Sequence, residues 1–231
     1  MAIKGFIVNK EVPRQAITTL QQFGEVKLFT SENITYQQVA GHPDLFFCGH
    51  RDRYVVAPNT PVKYINWLNE KEVDFVPGSQ PVGKSYPSSA IYNAVVTNHY
   101  VIHNRSITDP VILETFGHLK QINIKQGYSR CSLLPLKDNH FITSDQGIYK
   151  VLKKHNIDVL YINPSAILLP GFEHGFFGGV AGIDDDTLFL TGSLNYFPEE
   201  EKVRTYLDQL NYTIVELYDG PLFDGGSILA P

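Results

Sequence analysis

The sequence predicts an α/β fold in which one small strand-strand-helix-strand unit occurs five times. Short strands rich in β-branched and aromatic residues begin at residues 6, 54, 100, 141 and 188, so the units follow one another at intervals of 41 to 48 residues. Each start strand is followed by the signals of a helix N-terminus and then by a second apolar strand. A unit of this length cannot bury its own apolar face. We therefore expect one domain over residues 1–231 whose units pack around a common centre.

The helices are predicted from their N-terminal residues. In unit three, Asp109 is expected to be the N-cap and Pro110 to occupy the first helical position, where its missing N–H costs nothing. Thr60 and Pro61 repeat this pair in unit two. The other helices are expected over residues 13–23, after Ser144 or Asp145, and from about Pro198, where three glutamates suit the helix dipole.

Hairpins are predicted to connect each unit to the next. They cover residues 44–57, 93–102, 131–143 and 179–190, and their tips, including residues 51–53, are polar. A fifth first arm, Gly226-Ser227-Ile228-Leu229, has no strand after it. Its counterpart is the first strand of the chain, residues 5–9. We expect the two termini to pair and to close the five units into a ring, which leaves few free strand edges.

Composition and charge exclude several classes of function. The chain is 43% hydrophobic and 19% charged, as is typical of a folded globular protein. A formal charge of −5 without a run of Lys or Arg argues against a nucleic-acid partner. No segment approaches the roughly 20 apolar residues that cross a bilayer, so no membrane partner is expected. The lack of an apolar leader and the presence of only Cys48 and Cys131 predict a cytoplasmic protein with reduced thiols.

This arrangement of units resembles the pentein fold, a five-bladed α/β propeller in which a pseudo-fivefold ring is closed by the N- and C-terminal strands. The superfamily includes arginine deiminases, dimethylarginine hydrolases, agmatine deiminases and amidinotransferases, and also a non-enzymatic ribosomal anti-association factor. The chain is further similar to a compact bacterial branch of pentein-like proteins. That similarity rests on four segments: Tyr128-Ser129-Arg130-Cys131-Ser132, Ser144-Asp145-Gln146-Gly147, His174-Gly175-Phe176-Phe177-Gly178-Gly179 and Asp224-Gly225-Gly226-Ser227-Ile228.

Polar residues in the loops that enter the inner strands are the candidates for a site. In a ring of this kind these loops converge on the central axis, where a small-molecule ligand would bind. The set holds acids, a base, a thiol and a cation, which is enough for chemistry on a guanidino or amide compound. The predicted substrate-binding residues are His42, Asp44, Asn93, Arg130 and Asp224, and the predicted catalytic residues are Cys131, His174 and Glu173.

The resemblance implies a cysteine nucleophile in the final unit, after a glycine-rich turn, with a histidine acid/base and two carboxylates that bind the guanidinium. Here the turn is present, but Ser227 occupies the place of the cysteine. The alternative nucleophile is Cys131, since the neighbouring Arg130 favours its thiolate. We expect His174 to transfer protons and the acids of the set to orient the substrate.

Each candidate also has a structural interpretation. Cys131 would serve equally as a buried strand residue, as free cysteines commonly do, and Cys48 lies in an apolar run that predicts core packing. His42-Pro43-Asp44 and Asp224-Gly225-Gly226 are also typical of turns, and the Glu173-His174 pair of an exposed loop.

Two functions therefore stay open at the level of sequence. The first is a hydrolase or transferase that acts on a guanidino or amide compound, and the second is a non-catalytic pentein that binds a small molecule or a protein. His42, Asp44 and His174 have the chemistry of metal ligands, but their spacing matches no zinc or iron motif, so we predict no metal and no cofactor.

Overall fold

The computed structural model describes residues 5–31, 33–50 and 53–231. Its helices are α1 Arg14–Leu20, α2 Val62–Glu70, α3 Pro110–Thr115, α4 Ser129–Ser132, α5 Gln146–Lys154 and α6 Glu200–Gln209. Its strands are β1 Gly5–Asn9, β2 Glu25–Phe29, β3 Phe47–His50, β4 Arg53–Val56, β5 Phe75–Pro77, β6 Val95–Val96, β7 Tyr100–His103, β8 Lys120–Asn123, β9 Leu133–Pro135, β10 His140–Thr143, β11 Asp158–Tyr161, β12 Ala181–Asp184, β13 Thr187–Leu190 and β14 Thr213–Glu216.

Strand pairing divides these strands into five small sheets. The first holds only the parallel pair of β1 and β2, and the other four each have three strands. In each three-stranded sheet the central strand pairs antiparallel with the hairpin arm before it and parallel with the strand after the helix. The parallel pairs require a crossover, and the helix between them supplies it. Within the described residues, strand pairing does not join one of these sheets to the next.

The two termini meet in a single antiparallel bridge between Ile7 and Leu229. The N–H of Ile7 donates to the carbonyl of Leu229 over 2.8 Å, and the N–H of Leu229 donates back over 3.0 Å. The strand predicted over residues 226–229 is reduced to this bridge. Gly226 and Ser227 have φ of +74° and +71°, in the left-handed region, and extended backbone cannot run through them.

Helix N-caps agree with the sequence in two units and differ in a third. The predicted caps Asp109 and Asp145 are confirmed, because their side chains accept hydrogen bonds from backbone N–H groups in the first turn. The prediction for Thr60 was wrong: helix α2 begins at Val62 and Pro61 is its N-cap, without a capping side chain. Proline fixes φ near the value that helix entry needs, so no side-chain cap is required.

The first arm of the third hairpin starts later than predicted. Cys131 lies in the short helix α4, and strand β9 begins two residues after it, at Leu133. The helical turn directs Cys131 away from the sheet ladder and toward the segments of the neighbouring units. The predicted tip of the first hairpin includes Arg51 and Asp52, which lie outside the described residues.

The apolar faces of the helices cover the sheets. Helix α6 buries Val203 and Leu207 against Leu188 of strand β13, in a cluster that α6 shares with that sheet. Full burial of such a side chain stabilises the fold by roughly 1.5 to 3 kcal/mol. In the part of the chain that the structure describes, no helix combines the length and the apolar character needed to cross a membrane.

Candidate functional site

The segments that precede the first hairpin arms contact one another in a closed circuit of hydrogen bonds. Each bond joins one unit to the next, and the last bond joins the final unit to the first. The bonds run from Asn93 Nδ2 to the Asp44 carbonyl (3.1 Å), from Arg130 N to the Asn93 carbonyl (3.0 Å), from Arg130 Nη1 to the Gly178 carbonyl (2.9 Å), from Ser227 N to the Gly179 carbonyl (2.8 Å) and from Asp44 N to the Gly226 carbonyl (3.3 Å). Residues far apart in the sequence are thereby fixed within a few ångströms.

Glycines permit this close approach. A Cβ added at Gly226 would lie 2.3 Å from His42 Cβ, and one added at Gly179 would lie 1.9 Å from Asp224 Oδ1. Gly226 also has a left-handed φ, which glycine adopts without steric cost. These glycines therefore have a packing role beside the polar side chains that they leave room for.

Cys131 is held by two polar neighbours. Its thiol donates to Asp44 Oδ2 over 3.1 Å, and Asn93 Nδ2 donates to the sulfur over 3.4 Å. Burial, followed by the negative charges of Asp44 and Asp224, raises the pKa of the Cys131 thiol well above its ordinary value. The thiol proton thus remains on the sulfur and points at the Asp44 carboxylate.

We call His42, Asp44 and Cys131 the Asp44 cluster. One ligand-type atom from each residue lies within 4.8 Å of the other two, and all three residues are buried. Three of their atoms have no hydrogen-bond partner among the described residues: the two ring nitrogens of His42 and Oδ1 of Asp44. Buried polar atoms in native proteins nearly always have partners, so these three atoms are available to a water molecule or a ligand.

A pocket of about 300 Å³ opens beside the Asp44 cluster. This volume lies at the lower end of the range for small-molecule sites. Aromatic and aliphatic side chains form most of its wall, and acids and histidines occupy the rest. The lining residues are Tyr36, Val39, His42, Tyr128, Cys131, Leu169, Phe172, Glu173, His174, Phe176 and Asp224.

Asp224 is a buried acid in this wall. Its Oδ2 accepts from the N–H of Phe176 over 2.8 Å, and its Oδ1 accepts from the N–H of Gly226 over 3.0 Å. Burial raises the pKa of the Asp224 carboxyl above its ordinary value, while the nearby His42 and the two backbone donors oppose the rise. Both oxygens keep a free lone pair for a ligand.

His174 and Glu173 lie on the loop at the rim of the pocket. Glu173 is exposed and His174 is half-buried. Nδ1 of His174 is 2.9 Å from the carbonyl of Gly175. A carbonyl only accepts, so Nδ1 carries the proton and Nε2 is left as the basic nitrogen. Among the described residues no hydrogen bond joins His174 to Cys131, and the histidine in the cluster with the thiol is His42.

Arg130, predicted to bind substrate, directs its guanidinium at the backbone. Its guanidinium donates to the carbonyls of Gly178 and Ala181, over 2.9 and 3.4 Å. Burial lowers the pKa of Arg130, and the charge of Asp44 opposes this shift. Asn93 contacts the backbone of helix α4: its Oδ1 accepts from the N–H groups of Arg130 and Cys131. Both side chains fix the circuit and neither lines the pocket.

Sequence reasoning missed the aromatic wall. Tyr36 Oη donates to Tyr128 Oη over 3.1 Å, and Tyr128 Oη lies 2.7 Å from Ser89 Oγ, so three hydroxyls form a chain along one side. The ring of Phe172 contacts that of Tyr36 with centroids 6.2 Å apart. Tyr36 and Phe172 lie in loops without a periodic pattern, and the sequence therefore carries no signal for them.

The family of the chain is shown by a match over residues 7–229 to the model described as "Family of unknown function (DUF6873)". The chain belongs to this family. No curated protein matches it. Solved structures match nearly the whole chain, and they are members of the pentein superfamily.

Three of these pentein structures illustrate the likeness. A DDAH from Pseudomonas aeruginosa complexed with citrulline has a TM-score of 0.57 and 9% identity, with 94% of this chain and 92% of that one covered. SxtG, an amidinotransferase from Microseira wollei, has a TM-score of 0.54 and 11% identity, with 93% and 88% covered. The N-terminal domain of ArgZ, a cyanobacterial arginine dihydrolase bound to product, has a TM-score of 0.53 and 8% identity, with 92% and 90% covered. At such identities the likeness establishes the pentein fold alone.

Proposed function

We propose that this pentein is a hydrolase or transferase that acts on a small guanidino compound in the pocket, with Cys131 as the nucleophile. The observation that carries the proposal is the position of the Cys131 thiol. Cys131 lines an acidic and aromatic pocket, and its thiol is hydrogen-bonded to the buried carboxylate of Asp44. Two proteins of similar fold are a DDAH complexed with citrulline and an amidinotransferase, which agrees with this class of substrate.

Recognition of a planar cation follows from the wall. Asp224 lines the pocket and offers acceptors to guanidinium N–H groups, and Glu173 adds negative charge at the rim. The faces of Tyr36 and Phe172 attract a cation through their ring quadrupoles. A flat, delocalised cation satisfies both kinds of contact better than a compact ammonium does.

The pocket favours a substrate without a carboxylate. None of the described lining residues is a lysine or an arginine, and the guanidinium of Arg130 is already bonded to backbone carbonyls. An α-carboxylate would therefore meet acids and aromatic rings without a counter-charge. We expect agmatine and alkylguanidines to bind better than arginine.

The reaction would proceed in two steps. Cys131 Sγ attacks the guanidinium carbon and its proton passes to Asp44. The same proton is then transferred to the departing nitrogen as the C–N bond to the amine breaks. Water, or an acceptor amine in a transferase, then attacks the same carbon and the C–S bond breaks, which restores the thiol. His174 Nε2 would take the proton of the attacking water or amine and pass it to the departing sulfur.

The position of Ser227 agrees with a nucleophile at Cys131. The Ser227 hydroxyl lies 2.8 Å from Asp44 Oδ2, and the Cys131 thiol lies 3.1 Å from the same atom. A nucleophile from unit three thus contacts the same carboxylate as the residue that replaces the expected cysteine of the last unit. The circuit of hydrogen bonds and the bridge of the termini also support a closed pseudo-fivefold propeller as the scaffold of the site.

A turnover assay tests the proposal. Ammonia and ureido products are measured with agmatine, methylguanidine, arginine and methylated arginines. We expect product from the first two, no product above background with Cys131→Ala, and an unchanged rate with Cys48→Ala, the matched change at the other thiol. Absence of product from every compound with the folded wild-type chain would contradict the enzymatic proposal.

A second candidate is a non-catalytic pentein that binds the same cation. It is favoured by the small exposed fraction of Cys131, 4%, which limits attack by the sulfur. This candidate predicts an increase in melting temperature with agmatine, in the wild type and in Cys131→Ala alike, without any product.

A further inference from the structure

The Asp44 cluster has a chemistry that the proposed reaction does not use fully. It brings together an imidazole, a carboxylate and a thiol, from residues that are only 2%, 0% and 4% exposed. These are the three ligand types that Zn²⁺ binds in proteins. Sequence spacing does not reveal such a site, because its residues come from units one and three. Asp44 and Cys131 are 87 residues apart in the sequence.

Three of the five buried side-chain atoms without a partner among the described residues belong to this cluster. His42 Nδ1, His42 Nε2 and Asp44 Oδ1 have no hydrogen-bond partner among the described residues. Burial of such atoms without partners is unfavourable, and a bound cation would remove the penalty. The lone pair of a neutral imidazole and that of a carboxylate are free to coordinate one.

The dimensions suit a tetrahedral metal. Zinc bonds to sulfur, nitrogen and oxygen of about 2.0 to 2.3 Å place two ligand atoms of one tetrahedron about 3.5 Å apart. Cys131 Sγ and Asp44 Oδ2 are 3.1 Å apart, and the three ligand-type atoms lie within 4.8 Å of one another. Small side-chain rotations would bring all three into coordination distance.

We propose that His42, Asp44 and Cys131 bind one Zn²⁺ ion, with the fourth coordination position open to the pocket. A thiolate and a carboxylate would balance the two positive charges of the ion, so the buried site carries no net charge. Zinc and thiol chemistry exclude each other, because a sulfur bound to the metal is not free to attack a substrate. Binding of Zn²⁺ does not depend on the proposed function. If Cys131 is the nucleophile, the site would also switch it between a metal-bound and a reactive form.

The test uses the full chain, freed of metal by dialysis against a chelator and then titrated with ZnCl₂ by calorimetry. We expect one Zn²⁺ per chain. Substitution of Co²⁺ for Zn²⁺ should give a thiolate-to-metal charge-transfer band in the near ultraviolet. Bound Zn²⁺ should also protect Cys131 from alkylation, as read by peptide mass spectrometry, and the chelator should restore labelling.

Matched variants assign the ligands. His42→Gln and Cys131→Ser should each weaken Zn²⁺ binding by more than about a hundredfold, beyond what loss of an outer contact costs. His174→Gln changes a histidine that lines the same pocket outside the cluster, and should bind like the wild type. Circular dichroism checks the fold, and His42→Gln carries the test where Cys131→Ser fails to fold. No binding by the wild type, no charge-transfer band, or equal losses for His42→Gln and His174→Gln would overturn the proposal.

Discussion

The Asp44 cluster and the surroundings of Asp109 are both buried and both centre on a carboxylate, but their hydrogen bonding differs. Asp109 accepts from the backbone N–H groups of Ser79, Gln80 and Val111 and from the hydroxyl of Tyr92. These bonds join the loop after strand β5 to the start of helix α3. The carboxylate of Asp109 is therefore used completely by the fold.

The Asp44 cluster contains polar atoms without hydrogen-bond partners among the described residues. Asp44 Oδ1 and the ring nitrogens of His42 have no partner among the described residues, although the residues are as deeply buried as Asp109. An unsatisfied buried polar atom costs about 1 to 3 kcal/mol. A carboxylate whose oxygens all have hydrogen-bond partners stabilises the molecule. A carboxylate with an unpartnered oxygen lowers stability and keeps a lone pair for a ligand. Under the proposed function, this difference separates the acid that supports the fold from the acid that serves the site.

The largest expected effect is on the structural acid. Asp109→Asn places an NH₂ group against backbone donors in either orientation of the amide, and we expect a loss of about 4 kcal/mol in the free energy of unfolding. Asp44→Asn keeps an oxygen toward Cys131 and Ser227 and turns its NH₂ toward the unpartnered side, so its loss should be below about 1 kcal/mol. Urea denaturation measures both, and similar losses for the two variants would abolish the distinction.

The pH dependence of stability tests the burial of His103. His103, beside Thr108 and close to Asp109 in sequence, donates from Nε2 to the carbonyl of Gly127 over 2.8 Å. Burial lowers the pKa of His103 from 6.5 to about 4. The unfolded chain therefore binds a proton that the folded chain rejects between these values. Stability is fully present above pH 6.5 and falls by about 3 kcal/mol toward pH 4.

Variant His103→Gln should lack this contribution, so its unfolding free energy should fall less steeply between pH 6.5 and 4 than that of the wild type. Chemical denaturation at a series of pH values gives both curves. Parallel slopes for the two proteins would mean that His103 is not held neutral by its burial.

A small effect of opposite sign is expected at His42. Its ring nitrogens have no partner in the part of the chain that the structure describes. His42→Leu therefore removes unsatisfied polar atoms and should raise the free energy of unfolding by about 1 kcal/mol. The same change at the satisfied His103 should lower it. Thermal and urea denaturation compare the two, and a large destabilisation by His42→Leu would show that the histidine is structural.

Much of the fold follows from local sequence signals. The start strands, the caps Asp109 and Asp145 and the meeting of the termini are determined by short-range patterns and by the need for a partner strand. Local geometry that depends on a single residue was harder to predict. Thr60 does not cap helix α2, and the left-handed φ of Ser227 interrupts the last strand.

The site was predictable as a set of loops but not as a set of contacts. Convergence of the segments at Asp44, Asn93 and Cys131 follows from their equivalent places in the units. The partner of the thiol does not, because Cys131 and Asp44 meet only through the side-chain packing of different units. For this reason His174 was expected next to Cys131, whereas the structure brings His42 into its cluster.

The most direct test of the account measures how charge affects the alkylation of Cys131. Chloroacetamidine carries an amidinium group and chloroacetamide is its neutral counterpart of similar shape. After division by the rates with free cysteine, we predict that the cationic reagent modifies Cys131 at least about tenfold faster, because the acids of the pocket attract it. Cys48, buried outside the pocket, should stay unmodified. Equal normalised rates at Cys131, or modification of Cys48 in its place, would contradict the account.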